Sequence, residues 1–331
     1  MRKHKEKFED IVNTGFGPQS FVEGSRLINK KGEANLKKVG MPFWNRISVY
    51  HSLLRMTTGR FLLIVFLSYT TLNLIFALLY YSVGVEHLVG VDGHNSTMYQ
   101  FLDAFFFSSQ TLTTVGYGHV APSGLATNII AACESLVGIL VFAVVTGLLY
   151  GRFSRPRAFI VFSHNAIIAP YKNSQAIMFR IASYKNNYLT DVEATLTVAL
   201  HEDVDSKLVT KFYPLPLEIS KINSLALSWT IVHDLNEKSP LYGYTYEDLT
   251  NYRMEMIVSI KAFDEHFSNI VQQRTSYTYR ELVEGARFLP MFRKAPNGTH
   301  TILELQKVNA FEKATLPKME ILDTGSLKAN A

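Results

Sequence analysis

The residues with the clearest chemical potential form the string Thr114-Val115-Gly116-Tyr117-Gly118. Its two glycines permit backbone angles that other side chains forbid, so successive carbonyl groups can point to one side. Four such loops around an axis would stack rings of carbonyl oxygens above a ring of threonine hydroxyls, and these rings can replace the water shell of K⁺. The string therefore predicts a potassium selectivity filter that binds K⁺ ions through its backbone and needs no cofactor.

Two long apolar segments must hold this filter in a bilayer. They lie at residues 60–84 and 124–151, on either side of a pore helix and filter at 103–118. About twenty apolar residues are enough to cross a membrane. The helix before the filter is too short to cross, so we expect it to enter the membrane and return, with Asp103 as its N-cap. The pore domain is predicted to span 59–152.

The basic residues show an uneven distribution along the chain. Twelve lysines and arginines precede Phe61, none occurs from Phe61 to Gly151, and they resume at Arg152. Because positive residues mark the cytoplasmic side of membrane proteins, both termini are predicted to be cytoplasmic in a multi-pass protein of the cell (inner) membrane. The basic residues flank the membrane segments rather than form an aromatic-interleaved patch, which argues against nucleic-acid binding.

The segments outside the spans also differ in composition. Residues 1–42 are polar and are predicted to form a cytoplasmic N-terminal segment, in which residues 25–35 have the pattern of a short strand and turn. Residues 43–58 have apolar residues at helical spacing, which predicts an amphipathic slide helix in the membrane interface. A connecting helix packed on protein is the alternative. Residues 313–331 are predicted to be a tail.

A different periodicity begins after the second span. Apolar and polar residues alternate at 192–200, 225–231 and 254–260, and turn residues separate these runs. Alternation with a period of two indicates half-buried strands, and many short strands favour a β-sandwich. Residues 157–312 are therefore predicted to form a cytoplasmic β-sandwich domain.

Several residues in the spans are candidates for special roles. Glu134 is the one carboxylate in either span, and the cost of burying a charge there predicts partners behind the filter, with direct ion contact as the alternative. Gly138 and Gly147 are candidate hinges of the second span, or positions of close helix packing. Tyr80 and Tyr81 are predicted to lie at the membrane interface.

The motifs of common enzyme classes are missing from the sequence. It contains no phosphate-binding GxxxxGK[ST] loop, no HExxH and no GxSxG. Enzyme function is therefore not expected. A non-selective cation pore and a membrane-tethered binding module remain as alternatives to a potassium channel.

Motifs along most of the chain resemble those of inward-rectifier potassium channels of the bacterial Kir type. The matching stretches lie between Arg26 and Phe311, namely Arg26 to Gly32, Tyr50-His51, Ala104 to Thr111, Phe162 to Ala166 and His233 to Tyr242. The resemblance implies a two-span α-helical pore, assembled as a homotetramer, with a cytoplasmic immunoglobulin-like β-sandwich.

The resemblance also implies roles for individual residues. Phe142, Thr146 and Tyr150 match positions that line the pore, and Tyr150 matches an aromatic gate. Four arginines fall near the family's site for membrane lipids, which are anionic or phosphoinositide: Arg60, Arg152, Arg155 and Arg157. Glu265 matches an acid of the cytoplasmic pore, and Asp264 adjoins it. Gln110 and Glu134 fall behind the filter.

Two departures from the family pattern affect the expected function. Strong rectifiers of the family have a carboxylate at the position of Phe142. Voltage-dependent block by Mg²⁺ or polyamines is therefore expected to be weak unless Asp264 and Glu265 supply it. Many members have a glutamate at the position of Gln110, so the glutamine argues against a buried ion pair behind the filter.

Overall fold

The computed structural model describes residues 15–16, 26–37, 39–40, 42, 48–91, 96–204 and 207–317. Contacts divide the chain into two compact units. One, Val39–Arg155, is here called the helical unit, and the other, which joins Met1–Lys38 to Pro156–Ala331, is called the β unit.

Four α-helices occur among the described residues of the helical unit: α1 (Val49–Arg55), α2 (Thr58–Val83), α3 (Thr97–Leu112) and α4 (Leu125–Phe153). α2 and α4 are long and apolar enough to cross a membrane. With 26 and 29 residues they measure about 39 and 44 Å, which exceeds the ~30 Å apolar core of a bilayer. Most of their side chains are exposed, as expected of helices that face lipid.

The helix before the first span is short in the structure. α1 begins after Ser48, whose hydroxyl accepts a hydrogen bond from the His51 N–H, and it ends at Arg55. None of its residues is buried, which suits an interfacial helix. The predicted slide helix 43–58 also includes residues 43–47, which lie outside the described residues.

The helix before the filter is longer than predicted. α3 begins at Thr97, and the Gln100 N–H donates to the Ser96 carbonyl, so Asp103 lies inside the helix and is not its N-cap. The prediction of a start at Asp103 was wrong because the preceding turns contain no glycine or proline, and Phe101 holds them by an edge contact with Tyr81. Further along α3, Ala104 and Phe107 are buried against α2.

Two short strands fix the segment that follows the predicted filter. β1 (Leu88–Val89), which comes after a 3₁₀ turn at Val85–His87, pairs antiparallel with β2 (Ala121–Pro122). The Ser123 N–H donates to the His87 carbonyl at 2.8 Å and extends this pairing.

The β unit contains fourteen strands among its described residues, numbered in chain order: β3 (Ile160–Phe162), β4 (Ala166–Tyr171), β5 (Ser174–Ser183), β6 (Leu189–Val204), β7 (Lys207–Pro214), β8 (Lys221–Ser224), β9 (Ser228–Asp234), β10 (Glu255–Asp264), β11 (Asn269–Thr278), β12 (Leu282–Glu284), β13 (Ala286–Phe288), β14 (Phe292–Lys294), β15 (Thr301–Leu303) and β16 (Phe311–Lys313). A short helix, α5 (Tyr246–Asn251), begins with a capping box between Thr245 and Asp248.

Two five-stranded sheets form the expected β-sandwich. One has the order β11-β10-β6-β7 with β8 also paired to β6, and the other has the order β12-β4-β5-β3 with β9 also paired to β5. Side chains from both sheets, such as Phe179 and Val258, share one apolar core. The predicted strand at 225–231 starts only at Ser228, because Leu225 instead bonds its N–H to the Leu189 carbonyl.

The N-terminal segment docks on this sandwich. Ile28 and Ala34 form an isolated bridge around a turn, and Leu27 and Ile28 are buried against Ala199 and Phe212. The turn needs glycine at position 32 for two reasons. The φ of Gly32 is +83°, and a Cβ added to Gly32 would lie 2.6 Å from the Arg274 carbonyl oxygen. This agrees with the strand and turn expected at 25–35, except that Ser25 lies outside the described residues.

A buried carboxylate anchors the docked segment. Glu255 is only 2% exposed and accepts the backbone N–H groups of Leu27 at 2.7 Å and Ile28 at 3.1 Å. Burial raises the pKa of Glu255, while the two N–H donors act in the opposite direction. At the surface, Arg26 forms an ion pair of 2.7 Å with Glu281, which Lys30 also approaches to 3.2 Å.

Replacing Glu255 with glutamine is expected to loosen this segment. The amide offers one acceptor oxygen and turns an N–H₂ group toward a backbone N–H, so a buried donor loses its partner at a cost of about 1–3 kcal/mol. Thermal unfolding of the full-length protein in detergent would measure the loss of stability. Proteolysis at Arg26 and Lys30 would measure how far the docked segment is released. Lys261→Gln on the exposed face of β10 is the control, and equal behaviour of the two variants would contradict the anchoring role.

Candidate functional site

The backbone φ angles of the predicted filter alternate in sign from residue to residue. Thr114, Gly116 and Gly118 have φ values of +58°, +54° and +81°, whereas Val115 and Tyr117 between them are not in this region. Such alternation turns successive N–H groups to one side of the chain and successive C=O groups to the other. Thr114 is not a glycine, so its positive φ is strained, and strain of this kind is concentrated at functional sites.

The N–H side of this loop faces the end of α3. The amides of Val115 and Gly116 donate to the Gln110 carbonyl at 3.0 and 3.3 Å, and the Thr114 amide donates to the Thr111 carbonyl at 3.1 Å. Gln110 therefore supports the loop through its backbone. The opposite side of the loop is open, since all five residues from Thr114 to Gly118 are exposed in the single chain.

Behind the loop, Glu134 sits in a fully buried polar cluster. It accepts hydrogen bonds from the Ser108 hydroxyl at 2.5 Å and from the Tyr80 hydroxyl at 2.7 Å. The Ser108 oxygen also lies 3.2 Å from the Asn73 side-chain oxygen. All four residues are 0% exposed. One carboxylate thus joins α2, α3 and α4 through hydroxyl groups, and no basic partner is among these contacts.

The two glycines of α4 have different surroundings. A Cβ added at Gly138 would lie 2.0 Å from the Leu112 carbonyl oxygen, whereas one added at Gly147 would have no atom within 4 Å. α4 runs through both positions without a break. The structure therefore favours close packing over a hinge at Gly138. At this glycine α4 crosses the end of α3 at Leu112, which lies two residues before Thr114.

The predicted pore-lining residues form one exposed stripe on α4. Phe142, Thr146 and Tyr150 are four residues apart, and the two aromatic side chains are 75% and 73% exposed in the single chain. Phe142 also borders an apolar cavity of about 710 Å³ between α2 and α4. This cavity reaches Thr113 and Thr114, so it connects the stripe to the base of the filter loop.

The four arginines predicted to bind lipid are not equivalent. Arg60, Arg155 and Arg157 are exposed. Arg152 instead donates to the carbonyls of Leu53 at 2.5 Å and Met56 at 2.8 Å, and it stacks over the Phe61 ring. Arg152 thus supports the C-terminal end of α1, whose last carbonyls lack helical partners, and its assignment to lipid stays a prediction.

The two acids predicted for the cytoplasmic pore also differ. Asp264 is 1% exposed, and its carboxylate accepts the backbone N–H groups of His266 and Phe267 in the turn between β10 and β11. Its assignment to the pore was therefore wrong, because the carboxylate is buried and hydrogen-bonded to the amides of this turn. Glu265 is exposed, and the neighbouring His266 ring stacks on Tyr188.

Sequence reasoning missed the partners of Glu134 behind the predicted filter. Tyr80 was expected at the membrane interface, but it is fully buried, contacts Phe107 and donates to Glu134. The available signal was a lone carboxylate in the second span, which must find donors somewhere. Nothing in the sequence indicated that a tyrosine of the first span and Ser108 of α3 would supply them.

Comparisons with known proteins agree on the type of protein that this chain resembles. A family model described as the inward rectifier potassium channel C-terminal domain matches residues 160–328, and an ion channel model matches residues 64–155. The inward rectifier potassium channel Kirbac3.1 of Paramagnetospirillum magnetotacticum is 31% identical over 84% of this chain and 92% of its own length. Inward rectifier potassium channel 18 of Homo sapiens is 25% identical over 82% of this chain and 68% of its own. The ATP-sensitive inward rectifier potassium channel 12 of Bos taurus is 24% identical, with shares of 82% and 69%.

Proposed function

The chain belongs to the inward rectifier potassium channel family, and from that premise we propose that Thr114 to Gly118 form a filter through which it conducts K⁺ passively. The family is one of membrane ion channels, so the chain is not an enzyme. The observation that carries the proposal is the alternating backbone of the loop. The amides of Val115 and Gly116 donate to the Gln110 carbonyl, and the carbonyl oxygens on the opposite side of the loop would then be free for a dehydrated cation.

The filter requires four copies of the chain. One loop supplies carbonyls on one side of an ion only, so a homotetramer around a central axis completes the rings. The exposure of all five filter residues and of the apolar stripe at Phe142 and Tyr150 supports assembly, because these groups would be covered or would line the pore in the tetramer.

The gate of this pore is the stripe on α4. Four copies of Tyr150 would form an aromatic ring that closes the path by excluding water, and Phe142 and Thr146 would line the path between that ring and the filter. Gly147 is the proposed hinge, since its surroundings leave room for α4 to bend, in contrast to Gly138.

The proposed orientation places both termini in the cytoplasm and the spans in the cell (inner) membrane, in accord with the basic residues on either side of them. Arg60, Arg152, Arg155 and Arg157 would then meet anionic or phosphoinositide headgroups at the inner leaflet. The corresponding division has an N-terminal segment 1–42, a slide helix 43–58, a pore domain 59–152, a regulatory sandwich 157–312 and a tail 313–331.

Voltage acts on the proposed pore through block rather than through a charged sensor. No lysine or arginine lies between Phe61 and Gly151, so α2 and α4 carry no basic charges to move across the membrane through most of their length. Block by Mg²⁺ or polyamines needs carboxylates along the pore, and Glu265 is the exposed acid of the two considered. Rectification is therefore expected to be weak.

Replacing Phe142 with glutamate is expected to convert weak block into strong block. Four carboxylates next to the cavity below the filter would attract multivalent cations from the cytoplasmic side. With Mg²⁺ or spermine on that side, outward current through Phe142→Glu should fall at least tenfold relative to wild type. Phe142→Leu is the matched control, and equal block of the two variants would contradict the pore-lining position.

Rubidium uptake into liposomes tests the proposed conduction. Protein reconstituted with internal K⁺ should take up external Rb⁺, with block by Ba²⁺ and no effect of added Na⁺. A membrane-tethered binding module would show no uptake, and a non-selective cation pore would admit Na⁺ as readily as Rb⁺.

A further inference from the structure

His119 is an exposed histidine directly after the filter. It follows Gly118, so their Cα atoms are about 3.8 Å apart across a trans peptide. Its imidazole has no hydrogen bond, ion pair or ring contact with any described residue. The side chain is therefore not used to hold this part of the structure together, and its ring nitrogens are available to a ligand.

The backbone at His119 is, by contrast, tightly held. Its carbonyl oxygen packs on Gly90, where an added Cβ would lie only 1.8 Å away. The β1–β2 pairing, with Val89 opposite Ala121, fixes the segment two residues further on. The imidazole thus projects from a rigid support at the end of the filter, and its replacement should leave that support intact.

We propose that the His119 imidazoles of the assembled channel form an extracellular binding site for a transition-metal cation of the zinc class. The proposal rests on the tetramer proposed above, because one chain supplies one such ring. Within a single chain, no group of three or more histidine, cysteine, aspartate or glutamate residues in the described part could hold a metal. In the proposed tetramer, four copies of His119 would surround the pore axis, each one residue after the filter.

The chemistry separates this site from the filter. Neutral imidazole nitrogen is a preferred ligand of Zn²⁺, Cu²⁺ and Ni²⁺, whereas the carbonyl oxygens of the filter suit alkali cations. A divalent cation bound at the outer end would obstruct and repel K⁺ entering from outside.

Rubidium uptake with external Zn²⁺ tests this site. We expect Zn²⁺ to inhibit wild-type uptake at concentrations at least tenfold lower than those needed for His119→Asn. His87→Asn is the matched control, since His87 is also exposed on the outer side of the same unit, and it should keep wild-type sensitivity.

The outcomes distinguish this proposal from the proposed channel function. Absence of Ba²⁺-sensitive uptake before zinc is added would count against conduction itself. Normal uptake with equal zinc sensitivity in wild type and His119→Asn would overturn the metal site alone. Zinc binding to purified protein, measured by equilibrium dialysis, gives a readout without flux, with about one high-affinity metal per four chains expected in wild type and none in His119→Asn.

Discussion

Gly138→Ala is expected to eliminate Ba²⁺-sensitive flux. The new methyl group would lie 2.0 Å from the Leu112 carbonyl oxygen, and neither a helix backbone nor the end of α3 can move aside as a flexible side chain could. Overpacking typically costs about 1–3 kcal/mol, and a backbone obstacle belongs at the upper end of that range or beyond. Because Leu112 lies two residues before Thr114, any displacement moves the filter loop directly.

A glycine in open surroundings provides the control for this prediction. Gly59 has no atom within 4 Å of an added Cβ and no positive φ, so alanine at this position should leave an assembled, conducting protein. Flux and the fraction of tetramer on size-exclusion chromatography are the measurements. If Gly138→Ala assembles and conducts as Gly59→Ala does, the close packing of α4 on α3 is not required.

Glu134→Ala is expected to lower the thermal stability of the tetramer and the flux, with an effect second to that of Gly138→Ala. It leaves the Tyr80 hydroxyl without its acceptor in a fully buried site, while Ser108 keeps only its longer contacts with Asn73. An unsatisfied buried group costs about 1–3 kcal/mol. Since the carboxylate joins α2, α3 and α4, the loss should appear in the thermal stability of the tetramer as well as in the flux.

A double-mutant cycle separates this hydrogen-bonded cluster from a general loss of charge. Tyr80→Phe removes one donor, so its effect should be smaller when Glu134 is already alanine, with a coupling energy that the cycle measures directly. Glu86→Ala is the control because Glu86 is exposed on the outer turn. Additive effects of the first two substitutions would contradict a direct bond between their side chains.

The sequence was sufficient for features that depend on local pattern. The apolar length of α2 and α4, the Thr-Val-Gly-Tyr-Gly string and the alternation within β6 and β10 each follow from neighbouring residues. Boundaries were less certain because helical hydrogen bonding continues until something interrupts it. α3 extends back to Thr97 for this reason, and Asp103 is not its cap.

Roles that depend on hydrogen-bond partners could not be assigned from residue type. Asp264 and Glu265 are adjacent carboxylates, yet one is bound to the amides of a turn and the other is exposed. Arg152 and Arg155 are both basic residues at the end of the second span, yet only Arg152 meets the carbonyls of α1. The first difference comes from the conformation of the turn after β10, and the second comes from the place where α1 ends.

The most direct test of the central claim is the reversal potential of the reconstituted channel under ionic gradients. With a tenfold K⁺ gradient balanced by Na⁺, a pore lined by the carbonyls of Thr114 to Gly118 should reverse about 59 mV from zero, at the equilibrium potential of K⁺. A reversal near zero would show that Na⁺ passes as readily as K⁺, and it would contradict a potassium-selective filter.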